Sequence, residues 1–280
     1  MVLAGSCPQL RSLEHWAPEC EKFCISEAQS ASLGHLSQLT SLTLGLGLDA
    51  TNVEIESILQ GLPSLLHLGL HCHGRTKITD AILSGRALER VTIWDSNMKD
   101  LALALGELRS LTRLALHACG LRDLPDTISL LTGLREIDLL DDNRCNLPEG
   151  LAACTNLTSL VMAFGNGMSV LSELESLRSF SYMIGFTEVE KWALIELTGL
   201  THLSMKMRFN KHFPELTGMP SLRKLVLSEC GLSDLRSLRH ILEPSDEPPH
   251  VRLHFHAWCA SCAHKCTAAA KPTPAWSLFL

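Results

Sequence analysis

The sequence predicts an α/β solenoid, a horseshoe in which a concave parallel sheet of short strands is backed by convex turns or short helices. Three observations lead there. Leucine dominates a chain that is 46% hydrophobic and only 5% aromatic, as expected of a core built from one side chain used many times. An apolar triplet, Leu-x-x-Leu-x-Leu or a close variant, returns at a regular interval. A second apolar column returns at the same interval and in the same phase.

The triplets start at Leu65, Leu88, Leu111, Leu134 and Leu157, 23 residues apart each time. One more starts earlier, at Leu39, and three start later, at Leu177, Leu200 and Leu222, giving nine units. Ile55, Ile78, Leu101, Leu124 and Leu147 form the second column, and proline follows both Leu124 and Leu147. Within a triplet the last two apolar residues alternate with their neighbours, as on a short strand with one buried face. The residues that follow, Pro125 to Leu131 in one unit, bring the chain back on the far side as a turn or short helix. No unit can bury its leucines alone, so stability has to come from stacking.

The run from Leu124-Pro125 through Ile128, Leu131, Leu134, Ile137 and Leu139 to Leu147-Pro148 resembles the 23-residue intracellular leucine-rich repeat of the Ras-group-related type, over residues 36 to 256. Similar repeats form the recognition arms of plant immune receptors. The resemblance therefore implies a leucine-rich repeat solenoid. That family usually places Asn at the turn after the strand. Here the position reads His73, Ser96, Cys119, Asp142, Gly165, Arg208 and Cys230, and only the two cysteines resemble the accepted substitute. The seventh unit starts 20 residues after the sixth and carries Phe180 and Tyr182 in place of leucines, so irregular turns are expected there.

Residues 1 to 35 read as an N-terminal cap or a degenerate first repeat around Leu10-x-x-Leu13, residues 36 to 256 as the repeat domain, and residues 257 to 280 as a C-terminal cap helix and tail. Cys259, Cys262, His264 and Cys266 are four zinc-competent side chains within eight residues. Three of them fall at i, i+3 and i+7, which is one buried stripe of a helix, and that reading is preferred. No metal and no cofactor are expected.

Eleven cysteines, an odd number, fit reduced thiols better than a disulfide framework, and Met1 to Gln9 shows no secretory pattern. A cytoplasmic or nuclear protein is expected. The formal net charge of −6 argues against a nucleic-acid partner, and no stretch is long and apolar enough to suggest a membrane one. Motifs of hydrolases, phosphate-binding loops and zinc proteases are absent, and neighbours such as His71 and Cys72 on a strand point to opposite faces. An enzyme is not expected.

Function is then sought on the concave face, among the residues that flank the strand leucines. His71, Trp94, His117 and Leu140 fall in one column, so they should stand in a row with rungs about 4.8 Å apart. Arg90 and Arg113 lie alongside, Glu136 and Asp138 together with Asp141 and Asp142 form an acidic unit next to them, and Lys206 follows further on. Trp and Arg are typical interface anchors, and mixed charge favours a protein partner. The expected function is a non-enzymatic protein–protein interaction module, an intracellular scaffold or signalling regulator. The alternatives are the recognition arm of an immune receptor or ubiquitin-ligase adaptor and, last, a metal or redox protein acting through the C-terminal cysteines.

Overall fold

The computed structural model describes residues 9–15, 35–45, 52–72, 87–94, 105–140, 145–163, 166–183, 196–206, 219–228, 250–254 and 277–279, together with Cys7, Leu33 and Leu194. The chain forms two compact units. The first is Met1–Leu157 with Gly165–Gly167, and the second is Thr158–Phe164 with Met168–Leu280.

In the first unit six strands follow one another: β1 (Ser12–His15), β2 (Ser41–Gly45), β3 (His67–His71), β4 (Arg90–Trp94), β5 (Arg113–His117) and β6 (Glu136–Leu139). Each pairs in parallel with the next. Residues at equivalent repeat positions face one another, so Leu42, Leu68, Val91, Leu114 and Ile137 form one column and Leu44, Leu70, Ile93 and Leu116 another. All are buried. β1 extends the ladder, with Leu13 opposite Leu42.

The second unit repeats the scheme with β7 (Ser159–Met162), β8 (Ser179–Met183), β9 (His202–Lys206), β10 (Lys224–Ser228), β11 (His250–His254) and β12 (Ser277–Phe279), again parallel and in sequence order. β12 lies within the segment that the sequence reads as a tail. Cys259, Cys262, His264 and Cys266 lie outside the described residues.

The return path of each repeat has a physical signature of its own. Ile128, Leu131 and Leu134 are spaced by three, and the N–H groups of Leu131 and Leu134 bond the carbonyl three residues back in each case. Leu151, Cys154 and Leu157 repeat this, as do Leu171, Leu174 and Leu177, and Leu194, Leu197 and Leu200. A period of three suits the 3₁₀ helix, whose side chains at i and i+3 lie above one another. Short 3₁₀ helices accordingly span Leu105–Glu107, Asp126–Leu130, Glu149–Ala153 and Met168–Glu173. Pro125 and Pro148 precede two of them with extended backbone (ψ 149° and 155°).

One return path is longer. α1 (Asn52–Gly61) buries Ile55, Ile58 and Leu59 at i, i+3 and i+4 and leaves Glu56, Ser57 and Gln60 in solvent. Pro63 follows shortly after and cannot continue the helix. No described helix is long and apolar enough to cross a membrane.

Polar groups bind the stack between strand and return path. The carbonyl of Thr112 accepts both Arg135 N–H and Glu136 N–H, and the Thr112 hydroxyl donates to the Glu89 carbonyl at 3.0 Å. Thr40 and Thr201 donate in the same way to Arg11 and Arg178. Cys119, at the position the family usually gives to Asn, is fully buried, and its Sγ reaches the carbonyls of Ile93 and His117 at 3.5 Å. A thiol there serves as a weak donor across repeats. On the far side Asn146 donates to the Asp123 carboxylate and accepts Asn166 N–H at 2.9 Å, a polar ladder that the leucine pattern does not reveal.

The short repeat is filled rather than loose at its described positions. Phe180 and Tyr182 are buried, with ring centroids 6.0 Å apart, so two larger side chains occupy the places of two leucines. Gly167 adopts φ +82°, and a Cβ there would collide with the Leu147 carbonyl. Only glycine allows that approach.

Three outcomes follow from this packing. Leu116→Ala should cost about 2–5 kcal/mol in denaturant unfolding, while Ala115→Ser on the opposite face of β5 should stay under about 1 kcal/mol. Gly167→Ala should lower stability by more than about 1 kcal/mol in the same assay. Burial pushes the Cys154 thiol up to about 11 from 9.0. Because the folded value is the higher one, the stability this thiol contributes is full below pH 9.0 and fades as pH rises towards about 11. A thiol reagent at pH 8 should label Cys154 in denaturant and spare it in the native protein, as read by peptide mass.

Candidate functional site

The candidate site lies on the strand face of the first unit and is built by residue alternation. On β4, Val91 and Ile93 enter the core, so Arg90, Thr92 and Trp94 face the other way. β3 presents His67, Gly69 and His71 in the same manner, and β5 presents Arg113, Ala115 and His117. Register then makes three parallel rows, running across the strands.

The first row is aromatic. His71 lies flat against Trp94, with ring centroids 3.9 Å apart and planes 2° from parallel. His117 meets Trp94 edge-on at 5.9 Å and 70°. Such offset and edge-to-face pairs add about 0.5–1.5 kcal/mol beyond area burial, so the indole is held in place by its neighbours. Leu140 does not join the row. β6 ends at Leu139, and the Leu140 N–H is taken by Asp138 Oδ1 at 3.1 Å as the chain turns away. Asp138 Oδ2 lies 3.4 Å from His117 Nε2, misaligned for a hydrogen bond, and that nitrogen is buried with no hydrogen-bond partner among the described residues.

The opposite row is charged. Arg90 and Arg113 face each other on adjacent strands, an arrangement that like charges disfavour. Glu136 relieves it by pairing with Arg113 at 2.9 Å, both side chains being nearly half exposed. The Arg90 guanidinium makes no ion pair or hydrogen bond among the described residues.

The middle row is small and forms the floor: Gly69, Thr92 and Ala115, next to Thr43 on β2. Gly69 lets Thr43 approach closely here, because a Cβ would stand 2.7 Å from Thr43 Oγ1 and 3.0 Å from its Cγ2. Ala115 is only 2% exposed although it faces away from the core, since Arg113 and His117 rise on either side of it. Between the two rows lies a depression of about 280 Å³.

The structure thus brings together His71, Trp94, His117, Arg90, Arg113, Glu136 and Asp138. Lys206 belongs to β9 of the second unit, in register with Met183 and Ser228. Asp141 and Asp142 lie outside the described residues. The floor was missed by sequence reasoning that looked for large anchors. Its signal was the run of small residues, Gly69, Thr92 and Ala115, at 23-residue spacing. His71 faces this surface while Cys72 is 3% exposed, so the two do not converge as nucleophile and base. Among the described residues no three His, Cys, Asp or Glu side chains are grouped to hold a metal ion.

The sequence matches no protein-family model and no curated protein. Among solved structures the fold is similar to an internalin C2 from Listeria monocytogenes, at 19% identity over 71% of this chain and 84% of that one, with a TM-score of 0.52. A leucine-rich repeat protein of Leptospira interrogans is similar at 17% identity, covering 79% of this chain and 67% of that one, with a TM-score of 0.48. The Arabidopsis receptor kinase HAESA, solved with the peptide hormone IDA and the co-receptor SERK1, is similar at 19% identity over 80% of this chain and 39% of that one, with a TM-score of 0.49. The likeness concerns the fold, which is that of a leucine-rich repeat solenoid of α/β class.

The exposure of the Arg113–Glu136 pair sets its strength. A double-mutant cycle of Arg113→Ala and Glu136→Ala should give a coupling energy below about 1 kcal/mol that shrinks with added salt, measured by denaturant unfolding.

Proposed function

We propose that this chain is a non-enzymatic protein–protein interaction module that binds its partner through the strand face of the first unit. The observation that carries the reading is the His71–Trp94–His117 row beside a floor of small residues. A tryptophan locked by two neighbours loses little freedom on binding, and an aromatic edge over a depression suits an interface anchor. The nearby arginines suit it too, because Arg is enriched at such anchors.

The finer reading is an intracellular scaffold or signalling regulator. It is supported by the 23-residue period with its Leu-Pro step and by Cys119, Cys145 and Cys154, which are buried and unbridged. Buried cysteines without a disulfide suit a reducing compartment.

Affinity purification from cells with the intact chain and with Trp94→Ala tests the proposal. A specific protein should be retained by the first and lost with the second, corresponding to a weakening of at least about 2 kcal/mol, while the variant still folds and loses only the roughly 1–3 kcal/mol of stability that the two ring pairs supply. A variant that retains the same protein at full affinity moves the site elsewhere. One that no longer folds makes Trp94 a core residue.

A further inference from the structure

We infer that the depression receives an acidic segment of the partner protein, with one side-chain carboxylate seated on Arg90 above Gly69 and Thr92. This rests on the interaction reading above and specifies its chemistry.

The argument starts from unused donors. Arg90 lines the depression and its guanidinium has no ion pair or hydrogen bond among the described residues, whereas that of its neighbour Arg113 is held by Glu136. The hydroxyls of Thr43 and Thr92, also in the lining, make no hydrogen bond among the described residues. A guanidinium offers a planar fork of donors that matches a carboxylate through two parallel bonds. The acidic groups of the site stand at its β6 edge, and both are engaged, Glu136 with Arg113 and Asp138 with Leu140 N–H. Over β3 and β4 the depression therefore carries one unpaired positive charge, that of Arg90, in a chain whose formal net charge is −6. A partner segment that brings negative charge gains there and is steered by it.

Size fits a segment rather than a single ion. A volume of about 280 Å³ would take roughly nine waters at about 30 Å³ each. The occupant therefore lies across several rungs. A nucleic-acid strand is disfavoured by the same geometry. Base stacking needs an open aromatic face, yet one face of Trp94 is covered by His71 at 3.9 Å and His117 crowds its other side.

The test uses the full chain and a fluorescein-labelled, C-terminally amidated hexaglutamate peptide, followed by anisotropy at low salt. The peptide should bind at least about tenfold more tightly than hexaglutamine, and Arg90→Ala should remove about tenfold of that affinity. Arg90→Lys should restore only part of it, because a point charge lacks the fork. Lys224→Ala, in the second unit, should change nothing. Should Arg90→Ala unfold, added salt on the unmodified chain gives the same reading, since binding should weaken without a change in melting temperature.

Equal binding of the glutamate and glutamine peptides overturns the inference. So does an Arg90→Ala variant that binds hexaglutamate normally, and so does a hexauridylate that competes in an Arg90-dependent way. If hexaglutamate fails to bind while Trp94→Ala still releases the cellular partner, the acidic occupant is wrong and the interaction reading stands. If Trp94→Ala releases nothing, the interaction reading falls whichever peptide binds.

Discussion

A single repeat cannot bury its own leucines, and everything else in the molecule depends on that constraint. Leu114 and Leu116 are covered only because Val91 and Ile93 lie beside them in register, and Ile137 lies on the other side of Leu114. The return path obeys the same rule, since Ile128 and Leu131 are fully buried although each 3₁₀ turn is too short to be stable alone. Fully burying one leucine is worth about 1.5–3 kcal/mol, so columns of them outweigh the modest hydrogen bonds that connect the repeats. Those bonds set the phase. Thr112 and Cys119 reach carbonyls of the preceding repeat and tie neighbouring units together at those points.

The same register that aligns the core aligns the opposite face. Once Val91 sits beside Leu114, Arg90 must sit beside Arg113 and Trp94 beside His117. A row of like residues on parallel strands is therefore amplified: small residues add up to a floor, aromatic ones to a wall, charged ones to a potential. The depression is a by-product of this bookkeeping, with Gly69 at the point where Thr43 leaves no space for a side chain. Rigidity comes with it, because the strands that carry the site are also the strands that carry the core.

Electrostatics on this face is local rather than global. Glu136 offsets Arg113 across one rung, and Asp138 is drawn into the end of its own strand by the Leu140 N–H. Acidic residues that look like a cluster in the sequence are thus divided between two tasks. Arg90, one rung further from them, keeps its charge for solvent or for a partner.

The sequence by itself determined the repeat period, the phase of the strands and the identity of the buried columns, because burial on a period-two strand leaves an unmistakable alternation at Leu114 and Leu116. It also placed His71, Trp94 and His117 in one row, since equal spacing in a solenoid becomes adjacency in space. Where the strand stops was not legible: Leu140 keeps the 23-residue spacing but lies past the last rung, and its N–H donates to the Asp138 carboxylate, a contact that no periodicity encodes. The choice of a 3₁₀ return over a looser turn was written in the spacing of three at Ile128, Leu131 and Leu134, though backbone bonds were needed to read it. Ring orientation, the Arg113–Glu136 pairing and the depth of the floor were decided by tertiary structure alone. These depend on rotamers and on the heights of neighbouring side chains, quantities that exist only once the repeats are stacked.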